Sequence, residues 1–455
     1  MKAKSIILTL AASLTLLSAA ESAAQTRTWS LQDCIDYAIE NNISLQQIRN
    51  QQLSGYEDTK QAKAALFPSL NASVSQGFTN RPFSESGSST VIGSDVYSTG
   101  SSSYSGNYGL NASWTLFSGG SLITSLKQSK LQNSVDSLSV QETTNDIVIS
   151  LVQAYMQCLY AAEAVKVGEL TAESSKAQLE RAIELKNVGQ LSKVDVAQLE
   201  SQHASDCYQV TSAKVSLDNY RLQLKQLLEL GVNDEIELAE PSDEEAEVLR
   251  LLPAKEDVYN KALETMPEIR KSDLNVTSAE LSVRQAQASW SPTLMATASL
   301  GTTNVSGLDT SFDSQIRKNF SESIGLSLQI PILQGRKART AVNKARIAVD
   351  NSRLEQLSAQ KTLLKEVEDT YLNAVSAQSK YTSAKEQAKY AEQSYELTAE
   401  QFNVGMKNTV ELITAQNTLL NARVELLQAK YTALMNNALL DIYQGNYKIN
   451  TKYEN

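Results

Sequence analysis

The chain has 455 residues and a formal net charge of −10 at pH 7, with 42% hydrophobic residues. The acidic balance excludes a nucleic-acid partner, which requires a basic surface. One histidine, His203, and three scattered cysteines exclude a histidine-based triad, a zinc site and a disulfide framework. We therefore predict no catalytic residue, no metal and no cofactor. We expect His203 on a solvated helix face and Cys34, Cys158 and Cys207 as small buried side chains.

The first residues have the pattern of an export signal. Lys2 and Lys4 form a basic start, an apolar run follows at 6–17, and small residues follow at 22–24. A signal peptidase recognises this order, so we predict a signal peptide over 1–24 and a mature chain from near Gln25. We expect no N-terminal lipid anchor, because no cysteine stands at the cleavage point. We also expect no transmembrane helix, because no later run of about 18 apolar residues follows.

The rest of the chain is a duplication. A shift of 224 residues places Pro68 on Pro292, and farther along a shift of 216 residues places Gly109 on Gly325. The difference locates an eight-residue insertion in a Ser/Gly/Tyr-rich stretch of the first copy, where a loop tolerates added length. We predict a first repeat over 25–230, an acidic connector over 231–253, a second repeat over 254–447 and a tail over 448–455.

Each repeat begins with a helical pattern, at 31–65 and 258–289, and then alternates polar and apolar residues. The alternation predicts β-hairpins at about 67–117 and about 291–332, with an apolar face that extends to Ile332. The opposite face carries mostly Ser, Thr, Asn, Gln and Gly. Strands of about 10 residues with this pattern are typical of a transmembrane barrel. A soluble sheet packed on a core by one face is the alternative.

The number of strands determines how such a barrel closes. Two hairpins supply four strands, whereas the smallest single-chain barrels have about eight. Open edges in hydrocarbon leave backbone groups unpaired, at several kcal/mol each. Several chains must therefore pool their strands, and a cyclic trimer would give twelve.

A long helix follows each hairpin. The segments 119–187 and 335–403 contain no proline and almost no glycine, and each predicts a helix about 100 Å long. An apolar stripe through Val367, Tyr371 and Ala374 is typical of a coiled-coil-like seam. Each long helix ends at a Val-Gly turn, and a second helix then continues, to 230 in the first repeat and to 445 in the second.

Together these features resemble the TolC-like outer membrane efflux family. The resemblance depends on Trp29-Ser30-Leu31, on the strand entry at 62–68, and on two Val-Gly turns that each precede an acid by six residues, Asp195 and Glu411. It implies a fold that is mainly α with a small transmembrane β part. Duplicated β-hairpins and long coiled-coil-like helices would form a homotrimeric α/β-barrel channel-tunnel.

The resemblance also implies a function. The expected protein is the exit duct of a tripartite efflux pump in the outer membrane of a Gram-negative bacterium, exporting small molecules such as drugs, dyes or detergents. Its expected partners are two further copies, a periplasmic adaptor, an inner-membrane transporter and outer-membrane lipid. The alternatives are the exit duct of a type I protein-secretion system and a trimeric coiled-coil stalk or adhesin. An exported enzyme would require a cluster of His, Cys or acidic residues that the sequence lacks.

In this family the Val-Gly turns form the periplasmic tip, where the tunnel narrows and the adaptor docks. The matching candidates here are Val188, Gly189, Val194, Asp195, Phe402, Val404, Gly405, Lys407, Glu411 and Thr414. Phe402 lacks a phenolic hydroxyl, Lys407 replaces an arginine and its planar fork, and Thr414 replaces a second acid. We therefore hypothesise a weaker or differently wired gate. Alternatively, Lys407 and Glu411 form an exposed ion pair at a helix start that contributes little.

Overall fold

The computed structural model describes residues 28–80, 82–83, 88–92, 95–99, 102–239, 244–306 and 310–446. The predicted signal peptide and tail lie outside these residues. The chain forms two compact units. The helical unit comprises Met1–Gln47, Gln141–Pro267 and Gln360–Asn455, and the sheet unit comprises Ile48–Val140 and Glu268–Ala359. Each unit contains segments of both predicted repeats.

The helices form two series of equal length, 11, 22, 67 and 35 residues. The first series is α1 (Leu31–Asn41), α2 (Ile43–Ala64), α3 (Ser121–Asn187) and α4 (Lys193–Leu227). After the short α5 (Glu244–Val248), the second series is α6 (Lys255–Thr265), α7 (Pro267–Ala288), α9 (Lys337–Asn403) and α10 (Thr409–Tyr443), with the short α8 (Phe312–Lys318) before α9. The first residues of α6 and α9 follow those of α1 and α3 by 224 and 216 residues. The helices of the second series thus start at the two offsets that the sequence predicts.

The helices predicted at 31–65 and 258–289 are each broken once, which corrects the prediction of continuous helices. Asn42 leaves the helix (ψ 125°) and its side-chain oxygen accepts the N–H of Leu45 at 3.1 Å, as an N-cap does. Met266 is extended (ψ 127°) because it precedes Pro267, whose ring disfavours a helical conformation in the residue before it.

The interior of the helical unit is formed by the long helices. Val367, Ala374 and Tyr381 of α9 are buried, as the predicted seam requires. The hydroxyl of Tyr155 lies 3.1 Å from the carbonyl of Trp29 and 2.7 Å from that of Ala239, beside a parallel pair of two-residue strands, β1 (Thr28–Trp29) and β6 (Glu237–Leu238). These two hydrogen bonds hold the residues just before α1 against the connector.

One expectation about the cysteines is wrong. Cys34 and Cys158 are buried as predicted, but Cys207 is exposed.

Helix α3 contains a window that is long and apolar enough to cross a membrane, and 56% of that window is buried inside the protein.

The sheet unit contains a four-stranded antiparallel sheet in the order β2-β5-β7-β8. Its strands are β2 (Ser69–Asn80), β5 (Ser102–Ser118), β7 (Thr293–Val305) and β8 (Ser321–Gln329). A separate hairpin of β3 (Ser88–Ile92) and β4 (Asp95–Thr99) connects β2 to β5, whereas α8 connects β7 to β8. Leu110 pairs with Leu300, and Ala298 with Ile324. Because side chains alternate along strands, this register collects the apolar residues on one face.

Among the described residues, no core covers the two outer strands of the sheet. Every residue of β2 and β8 is exposed, on the apolar face as well as on the polar one. A soluble half-buried sheet would cover one of these faces, so the exposure argues against that alternative. The last strand is also shorter than predicted: Ile330 and Ile332 lie beyond β8, because Pro331 has no N–H to donate to a ladder.

Candidate functional site

The two Val-Gly turns lie in the helical unit and end the long helices in the same way. The N–H of Gln190 donates to a carbonyl five residues back at 2.9 Å, and the N–H of Met406 does so at 2.8 Å. The residue before each donor, Gly189 or Gly405, has a φ angle of +81° or +78°. This left-handed conformation costs a residue with a Cβ atom about 1–2 kcal/mol. Glycine is therefore required at both turns.

The helix that follows each turn starts with a capping box. The hydroxyl of Ser192 accepts the N–H of Asp195 at 3.2 Å, and the Asp195 carboxylate accepts the N–H of Ser192 at 3.3 Å. Asn408 and Glu411 exchange the equivalent bonds at 2.9 and 3.1 Å. Each pair satisfies two backbone donors at a helix start. The two predicted acids are thus capping residues of α4 and α10.

One hydrogen bond connects the two helix starts. Thr409, which is buried, donates its hydroxyl to the carboxylate of Asp195 at 3.0 Å. The hydroxyl of Ser192, and to a lesser degree that of Thr409, lowers the pKa of Asp195. The carboxylate is therefore charged at neutral pH and makes the bond from Thr409 a charge-assisted one.

Lys407 lies on the same side of the turn as Glu411. Its ammonium forms an ion pair with the Glu411 carboxylate, and both side chains remain partly exposed. This ion pair, and the N–H of Asn408, lower the pKa of Glu411. Within the chain, Lys407 and Glu411 therefore neutralise each other at the start of α10.

Phe402 lies in a hydrophobic cluster directly above the turns. It packs with Leu412 of α10 and with residues of α3 and α4 that include Ala182 and Leu199. Only 3% of Phe402 is exposed. Phe402, a candidate gate residue, thus lies in the core. In this apolar cluster a phenylalanine ring packs better than a tyrosine ring, which carries a hydroxyl.

The remaining candidates are exposed. Thr414 donates its hydroxyl to a carbonyl of its own helix, Val410, at 2.7 Å. Five of the side chains exposed at the turns and at the first turns of α4 and α10 are apolar: Val188, Val194, Val404, Met406 and Val410. An exposed apolar group of this kind on a helical end is typical of a protein-binding surface.

A buried polar cluster near the tip was not anticipated from the sequence. Asp206 of α4 accepts hydrogen bonds from Gln202 at 2.8 Å and from Gln416 of α10 at 3.2 Å. His203 is partly exposed, and its ring also lies 3.1 Å from the hydroxyl of Ser175 on α3. Burial raises the pKa of Asp206. Only the polar periodicity of α4 could have hinted at this cluster.

The structure therefore brings together Asp195, Thr409 and Ser192 on one side of the tip, and Lys407 with Glu411 on the other. Thr409, Ser192 and Asn408 are the contact residues that the sequence reasoning missed. Their Ser, Thr and Asn side chains at helix starts were the available signal. In the part of the chain that the structure describes, no group of three His, Cys, Asp or Glu side chains is placed to hold a metal ion.

Similarity to known proteins covers most of the chain. Residues 34–229 and 258–446 match the family described as outer membrane efflux protein. The chain is 24% identical over 315 residues to the outer membrane protein TolC of Escherichia coli, which is 66% of this chain and 62% of that protein. It is 23% identical over 303 residues to the alkaline protease secretion protein AprF of Pseudomonas aeruginosa, covering 66% and 62%. The matches thus span about six-tenths of the length of these relatives.

The fold is also shared with solved structures. The outer membrane channel CmeC of Campylobacter jejuni superposes with a TM-score of 0.74, covering 92% of this chain and 86% of that chain at 19% identity. The similarity at this level of identity concerns the fold alone.

Proposed function

This chain belongs to the outer membrane efflux protein family, and we propose that it is the exit duct of a tripartite efflux pump. Its location is the outer membrane of a Gram-negative bacterium, from which it extends into the periplasm. The duct would export small molecules such as drugs, dyes or detergents. The observation that supports this function best is the four-stranded sheet, whose apolar face is exposed and whose outer strands have open edges.

Three copies would complete the barrel. The outer strands β2 and β8 each pair with only one strand in the described sheet. In hydrocarbon the free backbone groups would cost several kcal/mol each, so β8 of one copy would pair with β2 of the next. Three copies give twelve strands, closed by cyclic symmetry. The apolar face then contacts lipid, and the polar face lines the channel.

The native mass of the protein, extracted in detergent from purified outer membranes, tests this function first. We expect three chains in each particle. A monomer, or recovery in the soluble periplasmic fraction, would contradict the proposal, because four strands cannot enclose a channel.

The proposed partners at the tip are a periplasmic adaptor and, through it, an inner-membrane transporter. The exposed side chains at the tip, such as Val194, Val404 and Met406, provide an apolar surface for the adaptor. The ion pair of Lys407 and Glu411 lies beside this surface. Docking there would act directly on the two capped helix starts.

We further propose that the tip is the gate and that the bond from Thr409 to Asp195 helps to hold it closed. Thr409→Val removes this bond but leaves both capping boxes intact. Loss of this hydrogen bond weakens the contact between the starts of α4 and α10 by about 1 kcal/mol in each chain. If three chains open together, the open fraction should rise by roughly 100-fold. Current through single channels in planar bilayers measures this rise.

Thr418→Val is the matched control, because the hydroxyl of Thr418 bonds a carbonyl of its own helix and Thr418 is not among the tip candidates. Its closed-state current should equal that of the unmodified protein. Equal currents for Thr409→Val and Thr418→Val would show that the contact between the helix starts has no part in closure.

A second candidate is the exit duct of a protein-secretion system, which the similarity to a protease secretion protein favours. Deletion of the gene distinguishes an efflux duct from a protein-secretion duct. Greater susceptibility to drugs and detergents supports efflux, whereas loss of a secreted protein with unchanged susceptibility supports secretion.

A further inference from the structure

Asp206 is a carboxylic acid enclosed by three helices. Only 2% of its surface is exposed. Its two oxygens accept the side-chain amides of Gln202, on its own helix α4, and Gln416, on α10. The amide of Gln416, itself only 3% exposed, also lies 3.4 Å from the carbonyl of Thr171 on α3. The cluster therefore joins α3, α4 and α10.

The carboxyl group has little to compensate its charge. No lysine or arginine forms an ion pair with Asp206 among the described residues. The titratable group that faces it is His203 on its own helix, while α3 contributes Ser175 and Thr171, and α10 contributes Gln416, none of which is charged. Burial makes the carboxylate costly to ionise, and this outweighs the hydroxyl of Ser175, the two amides and His203, each of which lowers the pKa of Asp206. The side-chain oxygen of Gln416 is also buried without a partner among the described residues.

The cluster belongs to the same helices as the tip. Asp206 follows Asp195 by about three turns of α4, and Gln416 follows Glu411 by about one and a half turns of α10. Between the cluster and the turns lies the apolar cluster of Phe402 and Leu412. The same two helices therefore connect the packing at Asp206 with the capped starts of α4 and α10.

We propose that Asp206 is a proton-operated lock of the tip. With the carboxyl protonated, α3, α4 and α10 pack without a buried charge and the tip is held closed. Ionisation places a charge among these helices, loosens their packing and favours opening. This proposal rests on the proposed function of the tip as a gate. It adds that opening of the gate depends on pH.

The direction of the pH effect follows from the raised pKa of Asp206. In an unfolded or opened chain the group titrates near its ordinary value of 3.8, and in the packed cluster it titrates at a higher pH. The packed state therefore binds the proton more tightly and gains stability as the pH falls through the raised pKa. This gain in stability is complete when the pH lies below the ordinary pKa of the carboxyl group. It is absent when the pH is high enough to ionise the group in both the packed and the opened state.

Closed-state current in planar bilayers, recorded from about pH 4 to pH 8 so that the series starts near the ordinary pKa of an aspartate, tests the lock. The unmodified protein should leak more current as the pH rises. Asp206→Asn is neutral at every pH, so its current should stay at the low-pH level. Asp218→Asn, an exposed aspartate on the same helix, is the matched control and should keep the pH dependence.

Two further variants separate Asp206 from its neighbours. His203→Gln should keep the pH dependence and its direction. Gln416→Met removes a donor to the carboxylate, so the midpoint should move to higher pH by about one unit; this variant also tests the lock if Asp206→Asn does not fold. The lock is overturned if Asp206→Asn keeps the normal dependence, if His203→Gln alone abolishes it, or if Gln416→Met leaves the midpoint unchanged. If the unmodified protein conducts no current at all, the channel function fails instead.

Discussion

Replacement of Ile324 by arginine is expected to prevent assembly of the protein in the outer membrane. Ile324 lies on the apolar face of β8, opposite Ala298, and 90% of its surface is exposed in the single chain. In the proposed trimer this face contacts lipid. An arginine near the bilayer midplane destabilises the inserted protein by about 2–4 kcal/mol in each chain. The assembled trimer is therefore destabilised by roughly three times as much. The measurement is the fraction of trimer in purified outer membranes.

Ser323→Arg is the matched control. Ser323 is the neighbour of Ile324 on the same strand, so its side chain points to the polar face, where its hydroxyl lies 2.8 Å from that of Ser299. Its replacement loses one exposed hydrogen bond and places a charge in the channel, and trimer should still form. Equal assembly of the two variants would mean that the apolar face does not contact lipid.

Replacement of Phe402 by alanine is expected to destabilise the tip by about 3–5 kcal/mol, as the loss of a buried aromatic ring does elsewhere. The ring packs against Leu412, Leu199 and Ala182, which come from three different helices. The cavity cannot close without moving all three. A lower unfolding temperature of the detergent-extracted protein, together with increased cleavage of the tip by protease, measures the effect.

Phe402→Tyr separates packing from gating. If position 402 acts as a gate residue, a hydroxyl would add a bond and reduce the closed-state current. The structure instead places the hydroxyl in an apolar cluster, where a buried group without a partner costs about 1–3 kcal/mol. We expect lower stability and no reduction in current.

Val404→Ala, at a residue that is 71% exposed, is the control for Phe402→Ala and should change stability by less than about 0.5 kcal/mol.

The proposed gate differs in its contacts from the one that the family resemblance implies. Within the chain, Lys407 pairs with Glu411 of its own helix, and the bond between the two helix starts is donated by Thr409. The hypothesis of a differently wired gate stays a prediction, because its contacts to neighbouring copies are untested. The exposed position of the Lys407 pair agrees with the alternative that it is a local helix-start interaction.

The sequence by itself determined the repeating order of elements. Alternation along β2 and β8, the absence of proline from α3 and α9, and glycines after both long helices are local signals, because each arises from backbone geometry or from one face of one element. The two shifts of the duplication then predicted matching helices, and the structure has them with equal lengths. The proposal that several chains pool their strands also comes from the strand count alone.

Only the tertiary structure decided which side chains meet. Thr409 and Asp195 are 214 residues apart, and Gln416 and Asp206 are 210 apart, so no local pattern could pair them. Periodicity shows that a helix has an apolar side, but it does not show which helix covers that side or how far the cover extends. For this reason the burial of Phe402 in a core was not predicted, Cys207 was expected inside and is exposed, and the buried acid Asp206 was not anticipated.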